Sequence, residues 1–83
     1  MTRVKICGIT SPEDAVVAAE AGADAVGLIF WRSSKRCVDL GQAQEIARAL
    51  PPFVSVVGVF VDESPDLVRS IADALGLSAV QLH

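Results

Sequence analysis

Cysteine, histidine and positive charge are all scarce in this 83-residue chain. Its two cysteines and one histidine fall short of the four ligands of a structural zinc site, which commonly come as short-spaced pairs. Cys7, Cys37 and His83 are widely separated, and no CxxC pair exists for dithiol redox work. In a chain without a secretory signal the two thiols are expected to stay reduced, in a cytoplasmic setting. Seven basic residues against ten acidic ones give a net charge of −3. Lys5, Lys35 and the scattered arginines form no basic run, which argues against nucleic acid as a partner. No apolar stretch approaches the roughly 18 residues of a membrane span, so no membrane partner is expected. A charged strand begins within a few residues of Met1, unlike a signal peptide. The glycine patterns GxGxxG and GxxxxGK[ST] are missing, which removes the usual dinucleotide and phosphate-loop fingerprints. The first strand also lacks the acidic cluster of a phospho-receiver domain.

What the chain does have is apolar residues, 52% of the total, with a mean hydropathy of +0.49. One small domain has much surface for its volume, so this content is hard to hide. The apolar, β-branched runs lie at residues 4–6, 25–30, 54–61 and 79–82. They are near-continuous in hydrophobicity, as in parallel strands buried on both faces.

Helical stretches separate them. Ser11-Pro12-Glu13-Asp14 supplies an N-cap, a proline at the first helical position and two acids in the first turn. That helix is expected to run to about Ala21 and stop at Gly22. Ser64-Pro65-Asp66 repeats the start signal and Gly76 the stop. The middle helix, about 41–50, is closed by Pro51-Pro52 and capped by Asp39.

The resulting order is βαβαβαβ, an α/β segment. "GADAVGL" at 22–28 and "GLSAVQL" at 76–82 each carry a helix stop into a strand, as in a repeating βα architecture. Right-handed crossovers place the C-terminal ends of all strands on one rim, which then carries Cys7, Trp31, Asp62 and His83. Ligands of such folds sit at that rim. The first strand, "VKICGIT" at 4–10, therefore holds a thiol at the rim, followed at once by a glycine. Four parallel strands leave two edges, expected to be the Val4 and Ala79 strands, and open edges invite association. A small open domain that dimerises fits this pattern. The first half of a longer (β/α)8 barrel fits it better, because the last strand lacks a covering helix.

With these residues assembled, the chain resembles the phosphoribosylanthranilate isomerase family of tryptophan biosynthesis. The resemblance runs along the whole chain. It rests on "VKICGIT" followed by "EDA" at 13–15, "GADAVGLIF" at 22–30, "SSKR" at 33–36, "LPPFVSVVGVFV" at 50–61 and "AVQLH" at 79–83. It implies a TIM barrel of which residues 1–83 form a single incomplete domain, the N-terminal half with four strands and three helices. It also implies an isomerase of aromatic amino-acid biosynthesis acting on a phosphosugar anthranilate. The reaction is the Amadori rearrangement of N-(5′-phosphoribosyl)anthranilate to 1-(2-carboxyphenylamino)-1-deoxyribulose 5-phosphate, without metal or organic cofactor. Cys7 would be the general base, Arg36 would hold the anthranilate carboxylate, and Gly8 would leave the substrate a clear approach. The general acid and the phosphate site would lie farther along the family's sequence, so the 83 residues alone are expected to be inactive. As an isolated piece, the chain would then self-associate or pair with a complementing half. A related isomerase of histidine biosynthesis has an aspartate where this chain has Cys7, and that difference separates the two readings.

Each residue also has a plainer reading. A free cysteine is often an inert small hydrophobe, and Cys37 is read that way. Arg36, in the polar loop "RSSKR", could be a solvated cation; its planar guanidinium also suits a carboxylate held by two hydrogen bonds. Arg32 and Lys35 are read as surface or rim charges. Arg3, Lys5 and Cys7 share one side of the first strand. Lys5 is therefore either a cation that favours the thiolate or a structural cation paired inside the barrel. His83 is a candidate donor near the substrate, or a packed or solvated side chain. Asp62 accepts a substrate hydroxyl, caps the third helix or is simply solvated.

Overall fold

The computed structural model describes residues 3–82. Its elements are β1 (Lys5–Cys7), α1 (Pro12–Glu20), β2 (Ala25–Ile29), α2 (Leu40–Ala49), β3 (Ser55–Phe60), α3 (Pro65–Leu75) and β4 (Ala79–Leu82).

The local signals act as read. Ser11 accepts from the Asp14 amide at 3.2 Å to start α1, and Ser64 does the same for Leu67 at 3.3 Å to start α3. Asp39 opens α2 with a reciprocal box: its Oδ1 accepts from the Gln42 amide at 2.8 Å, and its own amide donates to Gln42 Oε1 at 3.2 Å. Gly76 ends α3 in the left-handed region, at φ 63° and ψ 45°. Several boundaries shift by a residue from the sequence reading, and two of the shifts have a visible cause. Helix α2 ends at Ala49 and Leu50 is extended (φ −83°, ψ 143°), because the ring of Pro51 disfavours helical geometry in the residue before it. Strand β1 begins at Lys5 because Val4 is tied up outside the ladder. Its amide donates to Asp24 Oδ2 at 2.8 Å, and its carbonyl accepts from the Asp24 and Ala25 amides. At its other end β1 includes Cys7, and Gly8 continues its bonding to β2 through the Gly27 carbonyl.

All four strands are parallel and lie in sequence order, β1-β2-β3-β4. The two edges are therefore β1 and β4. Alternation divides the residues between two faces. Val26, Leu28 and Phe60 face the helices and join Ala15, Ala18, Ala43 and Ile46 in one core, against which Val68, Ile71 and Leu75 of α3 pack. The rings of Phe30 and Phe60 stack within it at 5.1 Å. The other face carries Lys5, Cys7, Ala25, Gly27, Ile29, Ser55, Val57, Val59, Ala79 and Gln81. No helix covers it, and Lys5 and Cys7 on it are exposed.

The sheet is rolled toward this uncovered face. Lys5 Nζ on β1 donates to Gln81 Oε1 on β4 at 2.6 Å. In a flat sheet three strand spacings would separate those strands by about 14 Å. Only curvature brings the two edges within reach of two side chains, so the element is a sector of a barrel wall with its helices outside.

Candidate active site

The C-terminal ends of the strands form one rim, and β1 brings Cys7 to it on the concave face. Opposite Cys7 in the ladder stands Gly27 of β2. A Cβ placed on Gly27 would lie 2.9 Å from Cys7 Sγ and 3.3 Å from Cys7 Cα, closer than real Cβ atoms come to sulfur. The thiol thus fills the space that a side chain at 27 would need. The Gly27 carbonyl also accepts from the amides of Gly8 at 3.0 Å and Ile9 at 3.4 Å, which turns the chain sharply after the thiol.

Gly8 has φ +87°, a conformation that glycine adopts without steric penalty. A second reason for glycine here is contact. A Cβ at Gly8 would meet Arg36 Cδ at 2.6 Å and Nη1 at 3.0 Å. In the structure the Arg36 side chain lies beside the Gly8 backbone, on the side where a Cβ would project.

Arg36 is held there by a folded loop. The Ser34 amide donates to the Trp31 carbonyl at 3.0 Å and the Cys37 amide to the Ser34 carbonyl at 3.2 Å. The Arg36 amide donates to Ser34 Oγ at 3.1 Å. The loop then returns to the end of β2, where Val38 N donates to the Ile29 carbonyl at 2.9 Å and Cys37 bridges Ile29. Arg36 is exposed at the rim, and the return of its loop brings its side chain across Gly8.

The remaining candidates separate clearly. Lys5 sits one step below Cys7 on the concave face. Gln81 pairs with Val59, one step above the line Cys7–Gly27–Val57–Ala79. The Lys5–Gln81 bond therefore crosses the concave face diagonally and gives the ammonium a partner inside the barrel wall. Asp62 is exposed with φ 51°, and Ser64, not Asp62, caps α3. Cys37 is half-buried, its Sγ 3.7 Å from the Val38 carbonyl. Among the described residues no three His, Cys, Asp or Glu side chains gather as metal ligands, and no helix is long and apolar enough to cross a membrane. His83 lies outside the described residues. Two residues that meet the candidates were missed from the sequence, Gly27 against Cys7 and Gln81 on Lys5. For Gly27 the signal was available: a glycine inside a β-branched run marks a close approach. For Gln81 there was none, since its partner is 76 positions away.

The Cys7 thiol and the Arg36 side chain, the latter lying over neighbouring Gly8, both sit at the rim of the sheet. Known proteins share this framework. The family model for N-(5′-phosphoribosyl)anthranilate (PRA) isomerase matches residues 4–83. The N-(5′-phosphoribosyl)anthranilate isomerase of Neisseria meningitidis serogroup B is 56% identical over 81 residues, which cover 98% of this chain and 39% of that protein. The crystal structure of phosphoribosyl anthranilate isomerase from Thermotoga maritima superposes with a TM-score of 0.96 at 53% identity, covering all of this chain and 40% of that one. A further structure of such an isomerase, in complex with reduced 1-(o-carboxyphenylamino)-1-deoxyribulose 5-phosphate, matches with the same score and identity over 43% of its length. The chain thus spans about two-fifths of the length of the relatives it matches. With its fold, its strand-end thiol and the family match in agreement from Val4 onward, the chain belongs to the N-(5′-phosphoribosyl)anthranilate isomerase family.

Proposed function

We propose that the polypeptide carrying these residues isomerises N-(5′-phosphoribosyl)anthranilate to 1-(2-carboxyphenylamino)-1-deoxyribulose 5-phosphate in tryptophan biosynthesis, with Cys7 as general base. The observation that carries this reading is the packing of Arg36 over Gly8, the residue that follows Cys7, whose thiol is exposed. The anthranilate carboxylate needs a planar, two-pronged cation, and Arg36 supplies one. The sugar C2 proton needs an acceptor one sugar-length away, and the Cys7 thiolate is suited to that role. A general acid protonates the ring oxygen and opens the furanose, leaving an iminium at C1. Cys7 removes the C2 proton, and the electron pair forms the C1–C2 double bond as the iminium is neutralised. Protonation at C1 with loss of the C2 hydroxyl proton gives the C2 ketone, which balances the proton taken up by the ring oxygen. One C–H bond is broken and one is formed, so the step needs no external oxidant or reductant. The isomerase solved with a reduced form of that product supports the choice of ligand.

The general acid and the phosphate site lie beyond these residues in this reading, because barrel enzymes commonly hold phosphate after strands seven and eight. Residues 1–83 are then a single incomplete domain, the N-terminal half of a cytoplasmic enzyme that uses neither metal nor organic cofactor, and are inactive alone. The test is Cys7→Ala in the intact polypeptide, followed by turnover of the anthranilate adduct. Loss of a general base is expected to lower kcat by about 10²–10⁴-fold. Full retained activity would falsify the mechanism.

A second reading concerns the 83 residues in isolation. Their concave face is uncovered, and Leu82 on the edge strand β4 is 68% exposed. Such a surface favours self-association or pairing with a complementary half-barrel. Sedimentation of the isolated segment decides it. A monomer that does not respond to the complementing half counts against this role.

A further inference from the structure

The two side chains of the proposed mechanism share one structural device: each lies where a glycine lacks a Cβ. Gly27 faces Cys7 from the neighbouring strand, with only 2.9 Å between a virtual Cβ and Sγ. Gly27 is buried and has no positive φ, so nothing in its backbone conformation calls for glycine. What calls for it is the thiol. A β-branched residue would otherwise suit this position in a buried strand, and Val26, Leu28 and Ile29 show that pattern around it. A methyl at 27 would drive Sγ out of its staggered position or push β1 and β2 apart, since Cys7 Cα at 3.3 Å and Cβ at 3.4 Å leave little room to yield. At Gly8 the obstacle is a different side chain. A methyl there would displace Arg36 at Cδ and at Nη1, the segment that aims the guanidinium.

We propose that Gly27 and Gly8 are positioning residues of this site, Gly27 for the Cys7 thiol and Gly8 for the Arg36 guanidinium. The inference rests on the isomerase reading for its kinetic consequences, but its geometric content can be measured without turnover. It predicts a division of labour. Gly27→Ala moves the base and acts on kcat. Gly8→Ala moves the carboxylate receptor and acts on KM.

The experiment uses the intact polypeptide in a Cys37→Ser background, with alkylation read on the Cys7-containing peptide by mass spectrometry. In Gly27→Ala the rate of Cys7 alkylation by iodoacetamide is expected to change by threefold or more, and kcat to fall at least tenfold with KM within a factor of two. A misplacement of about 1 Å can lower a rate by about 10²-fold. An alkylation rate within threefold of the parent overturns the assignment for Gly27, whatever the activity. If Gly27→Ala fails to fold, the double variant with Cys7→Ala decides. Recovery of folding identifies the thiol as the obstacle, and failure of both overturns the claim.

For Gly8, KM is measured in a double-mutant cycle with Arg36→Ala. Because φ at Gly8 is +87°, Gly8→Ala carries a backbone cost in both backgrounds, and the rise in KM is expected to be at least about fivefold larger with Arg36 present than in the Arg36→Ala background. An equal rise in both backgrounds, or no rise with Arg36 present, overturns it. Calorimetric titration with reduced 1-(o-carboxyphenylamino)-1-deoxyribulose 5-phosphate follows the same cycle in binding alone. Should Cys7→Ala retain full turnover, the isomerase mechanism falls, while the alkylation rates still report on Gly27.

Discussion

Phe60 offers the most demanding test of the packing that carries the rim. It ends β3, is fully buried, and stacks on Phe30 at 5.1 Å with 13° between the ring planes. Truncating a fully buried phenylalanine to alanine costs about 3–5 kcal/mol, and a paired ring contributes about 0.5–1.5 kcal/mol of that beyond its area. How far the cavity can close decides the position in the range. Here one wall is bare backbone: a Cβ on Gly58 would sit 2.8 Å from Phe60 Cε2, so no side chain at 58 is available to swing into the space. Phe60→Ala is therefore expected at the upper end, about 4–5 kcal/mol, and Phe60→Leu at roughly half that. Against a typical domain stability of about 5–15 kcal/mol, the alanine variant approaches complete unfolding. Urea denaturation of the intact polypeptide, with the m-value compared between variants, measures both losses. An alanine variant that loses less than about 1.5 kcal/mol, or loses no more than the leucine variant, would refute the argument from a wall that cannot relax.

Three smaller effects follow from the backbone and the caps. Gly41→Ala is expected to stabilise by about 0.5–1 kcal/mol, because the residue is helical, has no positive φ and its Cβ would meet only Asp39 Oδ1, at 3.4 Å. Gly76→Ala should instead destabilise by about 1 kcal/mol, since φ is 63° there; thermal melts that rank the two variants the other way would contradict the cap assignment. Asp39→Ala removes the side chain that accepts from Gln42 and should cost about 1 kcal/mol, read in the same melts. A loss no larger than that of an exposed mid-helix substitution such as Glu45→Ala would remove the capping box from the account of α2.

Much of this molecule is written in short stretches of its sequence. Ser11-Pro12, Asp39 with Gln42, Ser64-Pro65 and Gly76 each act within one helical turn, so local chemistry alone places the helices. The apolar β-branched runs place the strands for the same reason, and alternation puts Lys5 and Cys7 on one face. The family motif, read as a whole, singled out Cys7 and Arg36. What the sequence could not show was their geometry. A loop residue's direction depends on where its loop returns, and Arg36 reaches Gly8 only because Val38 pairs back to Ile29 at the end of β2. Gly27 matters because strand register sets it opposite Cys7, and register is a property of two strands together. The Lys5–Gln81 bond exists only because the sheet rolls. Sequence by itself determined the elements and their order and singled out the candidate reactive groups, since those depend on neighbours along the chain. Tertiary structure decided which groups meet, because contacts between distant residues are set by register, curvature and the path of the loops.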